Sequence, residues 1–325
     1  SGLVGSEMCI RDSGCPAFGA GFFQIPGGDT CLKIGGYARY AVTAASPDSG
    51  ATNSSLTQAG TYGVTLDARN NTDIGVVRSY INVENAGTSD AYVQFAGLTA
   101  GKSSAMTDIS LDSAPLWDPG FAGLASDQGI KYSVAMGAST LTLGAMQSAN
   151  NNVAGSGGVA DNPDVGVGLA TSLGAVSLNG VATYHQVEST TGTAVGSAAI
   201  VTAAVNFGAG KAYLMGGTSR GALGHTGTLN SMADSDAAAA NLATGTSVAG
   251  GVNVAIGSGA LELNAGQIST TLSATKNTEQ RYSVSYAASV AKGLTIIPEF
   301  YAVNSDYNGA KSTSNSAYIR IQRDF

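Results

Sequence analysis

Only 11% of the 325 residues are charged, so the positions of those few charges decide what chemistry the chain can do. Lys33, Arg39, Arg69 and Arg78 fall in the first quarter, and Arg281 and Arg320 near the end. Each lies on the polar side of a run in which polar and apolar residues alternate. Asp108, Asp112 and Asp118 sit together in Ala105–Asp127, a stretch without alternation that holds the breakers Pro115, Pro119 and Gly120. Cations on one side of a water-filled gap and carboxylates on the other would set up a transverse field. Such a field orients dipolar solutes and sorts ions by sign. If the same charges are only solvated or paired structurally, they do neither.

Other chemistries find little support. His185 and His225 are isolated in the sequence, with no strained nucleophile turn beside either, and no catalytic residue is expected. The Gly155–Gly158 run (GSGG) does not lie between a strand and a helix, so it does not read as a phosphate cradle. Asp161, Asn162 and Asp164 offer oxygen ligands of the kind calcium takes, but a polar loop tip accounts for them as well. Three Cys and two His are too few and too scattered for a metal cluster. Neither a metal nor a cofactor is expected, and a formal charge of −7 argues against nucleic acid.

The elements that must carry the charges are strands. Leu32, Ile34, Gly36, Ala38 and Tyr40 alternate with Lys33, Gly35, Tyr37 and Arg39. Tyr62, Val64, Leu66 and Ala68 alternate with Thr61, Thr65, Asp67 and Arg69, and Val77, Ser79, Ile81 and Val83 with Arg78, Tyr80, Asn82 and Glu84. A period of two with one apolar face predicts half-buried strands. Similar runs recur to Phe325 and give about sixteen strands. Their connections alternate. Asn70–Asp73, Gly137–Ala138, Gly174–Ala175, Gly208–Gly210, Gly257–Gly259 and Ala291–Gly293 are tight. Ala45–Ala59, Ala105–Asp127, Ala149–Pro163, Gly221–Gly245 and Ser305–Thr313 read as long, with Asn85–Ser89 a short member of that set. Within the fourth long connection, Ser231–Ala243 predicts a short surface helix with Asp236 as a possible N-cap.

Charge at less than half the usual share of about 25% would solvate a globule poorly, unless the uncharged face meets something other than water. No apolar run approaches the roughly 18 residues of a spanning helix. An even number of alternating strands, with short turns at one end and long loops at the other, describes instead an all-β, antiparallel transmembrane barrel of the bacterial outer membrane. A long insertion in such a strand train is usually functional. Ala105–Asp127 carries Leu111, Trp117 and Phe121 and is expected to fold into the lumen. Closure would then bring the strands bearing Lys33, Arg39, Arg69, Arg78, Arg281 and Arg320 into one wall opposite Asp108, Asp112 and Asp118. The competing class is a secreted Gly/Ala/Ser/Thr-rich structural or adhesin-like β protein. A solenoid of that kind should show a fixed repeat, and the sequence has none.

Residues 1–14 lack a basic start, an apolar stretch and a cleavage site of the export-signal kind. They match nothing that follows and read as a non-native or disordered leader carrying Cys9, so that any export signal lies elsewhere. The run CPAFGAGFFQIPGGDTCLKIGGYARY (Cys15–Tyr40), with RSYINVE (Arg78–Glu84), AYVQFAGLTAGKSS (Ala91–Ser104) and the ending YIRIQRDF, resembles the mature porins of alphaproteobacteria. The resemblance implies a sixteen-stranded homotrimeric porin over residues 31–325 whose third external loop enters the pore. It implies passive diffusion of small hydrophilic solutes and ions, and contact with outer-membrane lipid and lipopolysaccharide. The short Asn85–Ser89 loop departs from the pattern in which the second loop latches onto a neighbouring subunit. In the oxidising compartment so implied, Cys15 and Cys31 are expected to form a disulfide that staples residues 15–30 to the foot of the first strand.

Overall fold

The computed structural model describes residues 15–46, 55–85, 87–107, 126–147, 162–189, 192–226 and 241–325. The chain begins with a single 3-10 turn, Pro16–Phe18, and a two-residue strand, β1 (Phe23–Gln24). Sixteen antiparallel strands follow. They are β2 (Cys31–Ala45), β3 (Ser55–Thr72), β4 (Gly75–Glu84), β5 (Gly87–Phe95), β6 (Leu98–Ser104), β7 (Ser126–Met136), β8 (Ser139–Met146) and β9 (Asp164–Leu173). The second half comprises β10 (Val176–Ser189), β11 (Gly192–Phe207), β12 (Gly210–Arg220), β13 (Thr244–Ile256), β14 (Gly259–Leu272), β15 (Thr275–Ala291), β16 (Leu294–Tyr307) and β17 (Ala310–Asp324).

Each strand pairs with its successor, and β17 returns to β2 from Ser316↔Ala45 to Asp324↔Tyr37. The ring is therefore closed and leaves no sheet edge. Its seam is finished by Phe325, which exchanges two backbone hydrogen bonds with Gly36, at 3.2 and 3.0 Å. That approach needs a glycine, because a Cβ on Gly36 would lie 2.2 Å from the Gly63 carbonyl and 2.9 Å from the Phe325 ring.

The alternation seen in the sequence sorts the side chains to two faces. Ile34, Ile81, Leu143, Val167, Leu214, Phe300 and Ile321 point outward and are 41–61% exposed. A girdle of apolar side chains around a closed barrel is a lipid-facing surface. Asp67, Thr183, Ser219, Ser247, Glu262, Asn264 and Ser283 point inward and are buried. The interior also carries an apolar cluster of Ile200, Met215, Ala249 and Ile268, packed with Val181, Tyr213 and Tyr301.

One expected connection differs. Ser305–Thr313, read as a long loop, is a two-residue turn at Asn308 and Gly309, whose φ values of 52° and 90° suit a type I′ hairpin. Asn-Gly is the strongest short signal for that turn. The flanking residues are polar on both faces because β16 and β17 run on beyond the apolar band. The short connection expected at Asn85–Ser89 is shorter still, with Glu84 already paired to Gly87, whereas Ser231–Ala243 and its cap Asp236 fall largely outside the described residues. Of that stretch, the described residues Asn241, Leu242 and Ala243 are not helical.

Candidate functional site

The inner face of β2–β5 is built on guanidiniums held by neutral and acidic neighbours. Arg69 on β3 stands directly opposite Arg78 on β4, an arrangement of like charges that is destabilising by itself. Asp67 resolves it. Two residues from Arg69, it shares the same strand face and takes bonds from both side chains. Arg69 donates through Nε and Nη2 at 2.9 and 2.7 Å, and Arg78 donates through Nε and Nη2 at 3.0 Å each. Both contacts are two-point, the strongest way a guanidinium binds a carboxylate. Arg78 also donates to Gln94 at 3.0 Å. Its guanidinium lies over the rings of Tyr80 and Tyr92, which stack with centroids 5.2 Å apart.

The remaining cations line the same sector. Arg39 donates to the Thr61 hydroxyl at 2.6 Å and covers the Tyr37 ring, so its immediate partners are neutral. Tyr37 in turn donates to Glu84 at 2.8 Å. Lys33 lays its stem beside Gly21. Arg281 is paired with Glu279, which also accepts from Tyr307 at 2.7 Å. The Nε of Arg320 makes no hydrogen bond among the described residues. The strands carrying Lys33, Arg39, Arg69, Arg78, Arg281 and Arg320 are contiguous, β15 to β4, because the ring closes between β17 and β2. The partners of Arg69, Arg78 and Arg281, however, are carboxylates of the wall itself. Asp67 was legible as inward by parity but was not singled out beforehand. Asp108, Asp112 and Asp118 lie outside the described residues.

At the foot of this wall Cys15 and Cys31 form a disulfide, Cα–Cα 6.0 Å. Phe22 packs on the bridge, and Arg69 lies over its ring at 4.8 Å. The N-terminal segment is thus stapled to β2 and braces the arginine wall from below.

Opposite, the chain leaving β6 turns inward. Ala105, Met106 and Thr107 are buried. The Met106 sulfur fills the space that a side chain would need at Gly144 or Gly166 on the inner faces of β8 and β9, where a Cβ would meet it at 2.4 or 3.0 Å. Between Met106 and the Arg78–Tyr80–Tyr92 wall lies a cavity of about 780 Å³, also bordered by Lys131 and Asn179. The start of the long insertion therefore enters the lumen.

A second inward feature was not foreseen. His185 and His225, isolated in the sequence, have ring centroids 5.5 Å apart. Asp164 lies between them, with Oδ1 at 2.8 Å from His185 Nδ1 and Oδ2 at 3.1 Å from His225 Nε2. Asp164 is not a loop tip: it is 2% exposed, at the first position of β9. Asn162 bonds Gln186 at 2.7 Å, and Asp161 lies outside the described residues. His225 belongs to a 3-10 turn, Leu223–His225, at the start of the connection after β12. From Ala222 to Thr226 this segment is buried on the inner wall, with Thr226 donating to Ser219 at 2.8 Å. Residue spacing gives no hint of this, because three separate parts of the chain meet.

Comparisons with known proteins agree with this architecture. The sequence profile described as "Porin subfamily" matches residues 13–319. A putative outer membrane protein, y4fJ, of Sinorhizobium fredii is 35% identical over 107 residues, covering 27% of this chain and 31% of that protein. Outer membrane protein IIIA of Rhizobium leguminosarum bv. viciae is 33% identical over 124 residues, covering 35% of this chain and 31% of that protein. The alignments thus span about a third of these curated relatives. The crystal structure of the outer membrane channel DcaP of Acinetobacter baumannii superposes with a TM-score of 0.81 at 14% identity. That match covers 93% of this chain and 99% of the other, a likeness of fold. With a profile match over nearly its whole length and a closed sixteen-strand barrel lined with charge, this chain belongs to the porin subfamily.

Proposed function

We propose that the protein is an outer-membrane porin, a water-filled channel for passive diffusion of small hydrophilic solutes and ions, with no catalytic step. The observation that carries the reading is the sorting of one closed ring into an apolar outer girdle and a charged, hydrogen-bonded interior. A sixteen-strand barrel is wide enough for an aqueous passage, and the cavity beside Met106 belongs to it. The secreted adhesin alternative explains neither the closure nor the exposed apolar girdle. Reconstitution into planar bilayers tests the reading: stepwise, ohmic single-channel conductance is expected, and a folded, inserted barrel without conductance would refute it.

The constriction in this reading has two sides. One is the wall of Lys33, Arg39, Arg69, Arg78, Arg281 and Arg320, moderated by Asp67 and Glu279. The other is the insertion that begins at Ala105–Thr107 and, in our reading, brings Asp108, Asp112 and Asp118 opposite that wall. The inward apolar cluster around Ile200 and Met215 supports this, because Leu111, Trp117 and Phe121 need such a surface to pack on. Deleting Leu111–Gly123 should raise the conductance, and an unchanged conductance would place the insertion outside the pore.

We propose further that three copies associate through the outer faces of β2–β5. Ile34, Tyr62, Val64, Ile81 and Val93 are exposed there, and Gly36 and Ala38 let backbones approach closely. In this assembly residues 15–30 brace the periplasmic rim, residues 1–14 take no part, and outer-membrane lipid and lipopolysaccharide meet the rest of the girdle.

A further inference from the structure

We infer that Asp164, His185 and His225 form a binding site for a divalent transition-metal ion, which pins the segment Ala222–Thr226 against the inside of the barrel. The three side chains come from the start of β9, from β10 and from the connection after β12. Each is no more than 4% exposed. One potential donor atom from each lies within 4.8 Å of the others. The site goes beyond the channel reading and does not depend on it.

The argument rests on how the nitrogens of His225 are placed. Its Nδ1 lies 2.8 Å from the Thr183 hydroxyl, which can accept an Nδ1–H. That tautomer leaves Nε2 bare. Nε2 is 3.1 Å from Asp164 Oδ2, but the angle between them is not that of a regular hydrogen bond. In that tautomer a nitrogen lone pair and a carboxylate lone pair so close in a dry site repel each other, and either a second proton on the ring or a metal cation between the two atoms relieves the repulsion. A metal-ligating imidazole characteristically has its other nitrogen fixed by an outer hydrogen bond, the part that Thr183 plays here. Donors about 2.0–2.2 Å from a tetrahedral zinc-sized ion stand about 3.3–3.6 Å apart, so the 3.1 Å between His225 Nε2 and Asp164 Oδ2 needs to widen by only a few tenths of an ångström.

The donor set selects the ion class. Two imidazoles and one carboxylate suit zinc, copper, nickel or cobalt, whereas calcium and magnesium prefer oxygen alone. Three protein ligands leave a coordination position open for water. Clipping the 222–226 segment would hold that part of the long connection inside the lumen, so metal occupancy would be coupled to the shape of the passage.

The test uses untagged, detergent-folded protein stripped with a chelator and titrated with Co²⁺ and, separately, with Cu²⁺. We expect visible ligand-field bands that saturate at one Co²⁺ per chain and are displaced by Zn²⁺. Affinity should fall at least about tenfold in His225→Gln and measurably in Thr183→Val. Pulsed paramagnetic resonance of the Cu²⁺ form should show two imidazole couplings. The chain has two histidines in all, so two couplings can arise only here, and this readout needs no variant. Absence of saturable binding to the folded protein, fewer than two imidazole couplings, or an affinity in His185→Gln and His225→Gln unchanged from that of the native protein would each overturn the assignment. The cluster would then be a purely hydrogen-bonded tie.

Discussion

Asp67→Asn is the sharpest probe of the arginine wall. The native trio of Asp67, Arg69 and Arg78 carries a net charge of +1, and the amide raises it to +2 without changing side-chain shape. An added unit charge roughly 6 Å from an ion's path contributes about 0.7 kcal/mol at the dielectric of water. A Debye length of about 10 Å at 0.1 M salt reduces this to about 0.4 kcal/mol. That is about a twofold enrichment of anions and a twofold depletion of cations, or about fourfold in their ratio. At 1 M, with screening over about 3 Å, the same calculation leaves less than about 1.5-fold. Asp67 is 8% exposed, while the side chains of Arg69 and Arg78 are 28% and 24% exposed. Losing the charge-assisted bonds should therefore cost about 1.5–3 kcal/mol locally, and sixteen paired strands absorb that loss. The assay is the zero-current potential of single channels under a salt gradient, at low and at high salt. A shift toward anions that fades with salt is expected. No shift at 0.1 M, or one toward cations, would refute the claim that these charges face the ion path.

Arg39→Ala should move selectivity toward cations more than Arg281→Ala does, because Arg39 rests on neutral Thr61 and Tyr37 whereas Arg281 is paired with Glu279; the same zero-current measurement decides. Gly144→Val should displace the Met106 side chain from the inner wall and change single-channel conductance with the barrel still folded on a heat-modifiability gel. Cys15→Ser should remove roughly 3 kcal/mol of chain-entropy stabilisation and loosen the Phe22 brace, seen as unfolding at lower denaturant that matches the reduced wild type. Ala38→Arg should dissociate the proposed trimer to monomers in native electrophoresis, and an intact trimer would place the interface elsewhere.

The alternation of residues in the sequence was enough to assign the two faces, most of the tight turns and a count of about sixteen spanning strands, because a period of two and a Gly-bearing turn are local properties. Asp164–Leu173 runs as read, and Arg39, Arg69 and Arg78 sit on the inward parity expected. The resemblance at Cys15–Tyr40 anticipated the disulfide. Where β16 and β17 leave the apolar band, alternation vanishes, and Asn308–Gly309 was passed over inside an apparent loop. Other features exist only once strands are paired and the ring is closed. Register sets Arg69 against Arg78 and makes Asp67 their shared partner. Closure between β17 and β2 brings Arg320 beside the first strands. Folding of the 222–226 segment onto the inner wall gathers Asp164, His185 and His225, far apart in the chain, into one dry cluster. Contacts between residues so distant in sequence are set by loop path and strand register, and no local pattern of residue types records either.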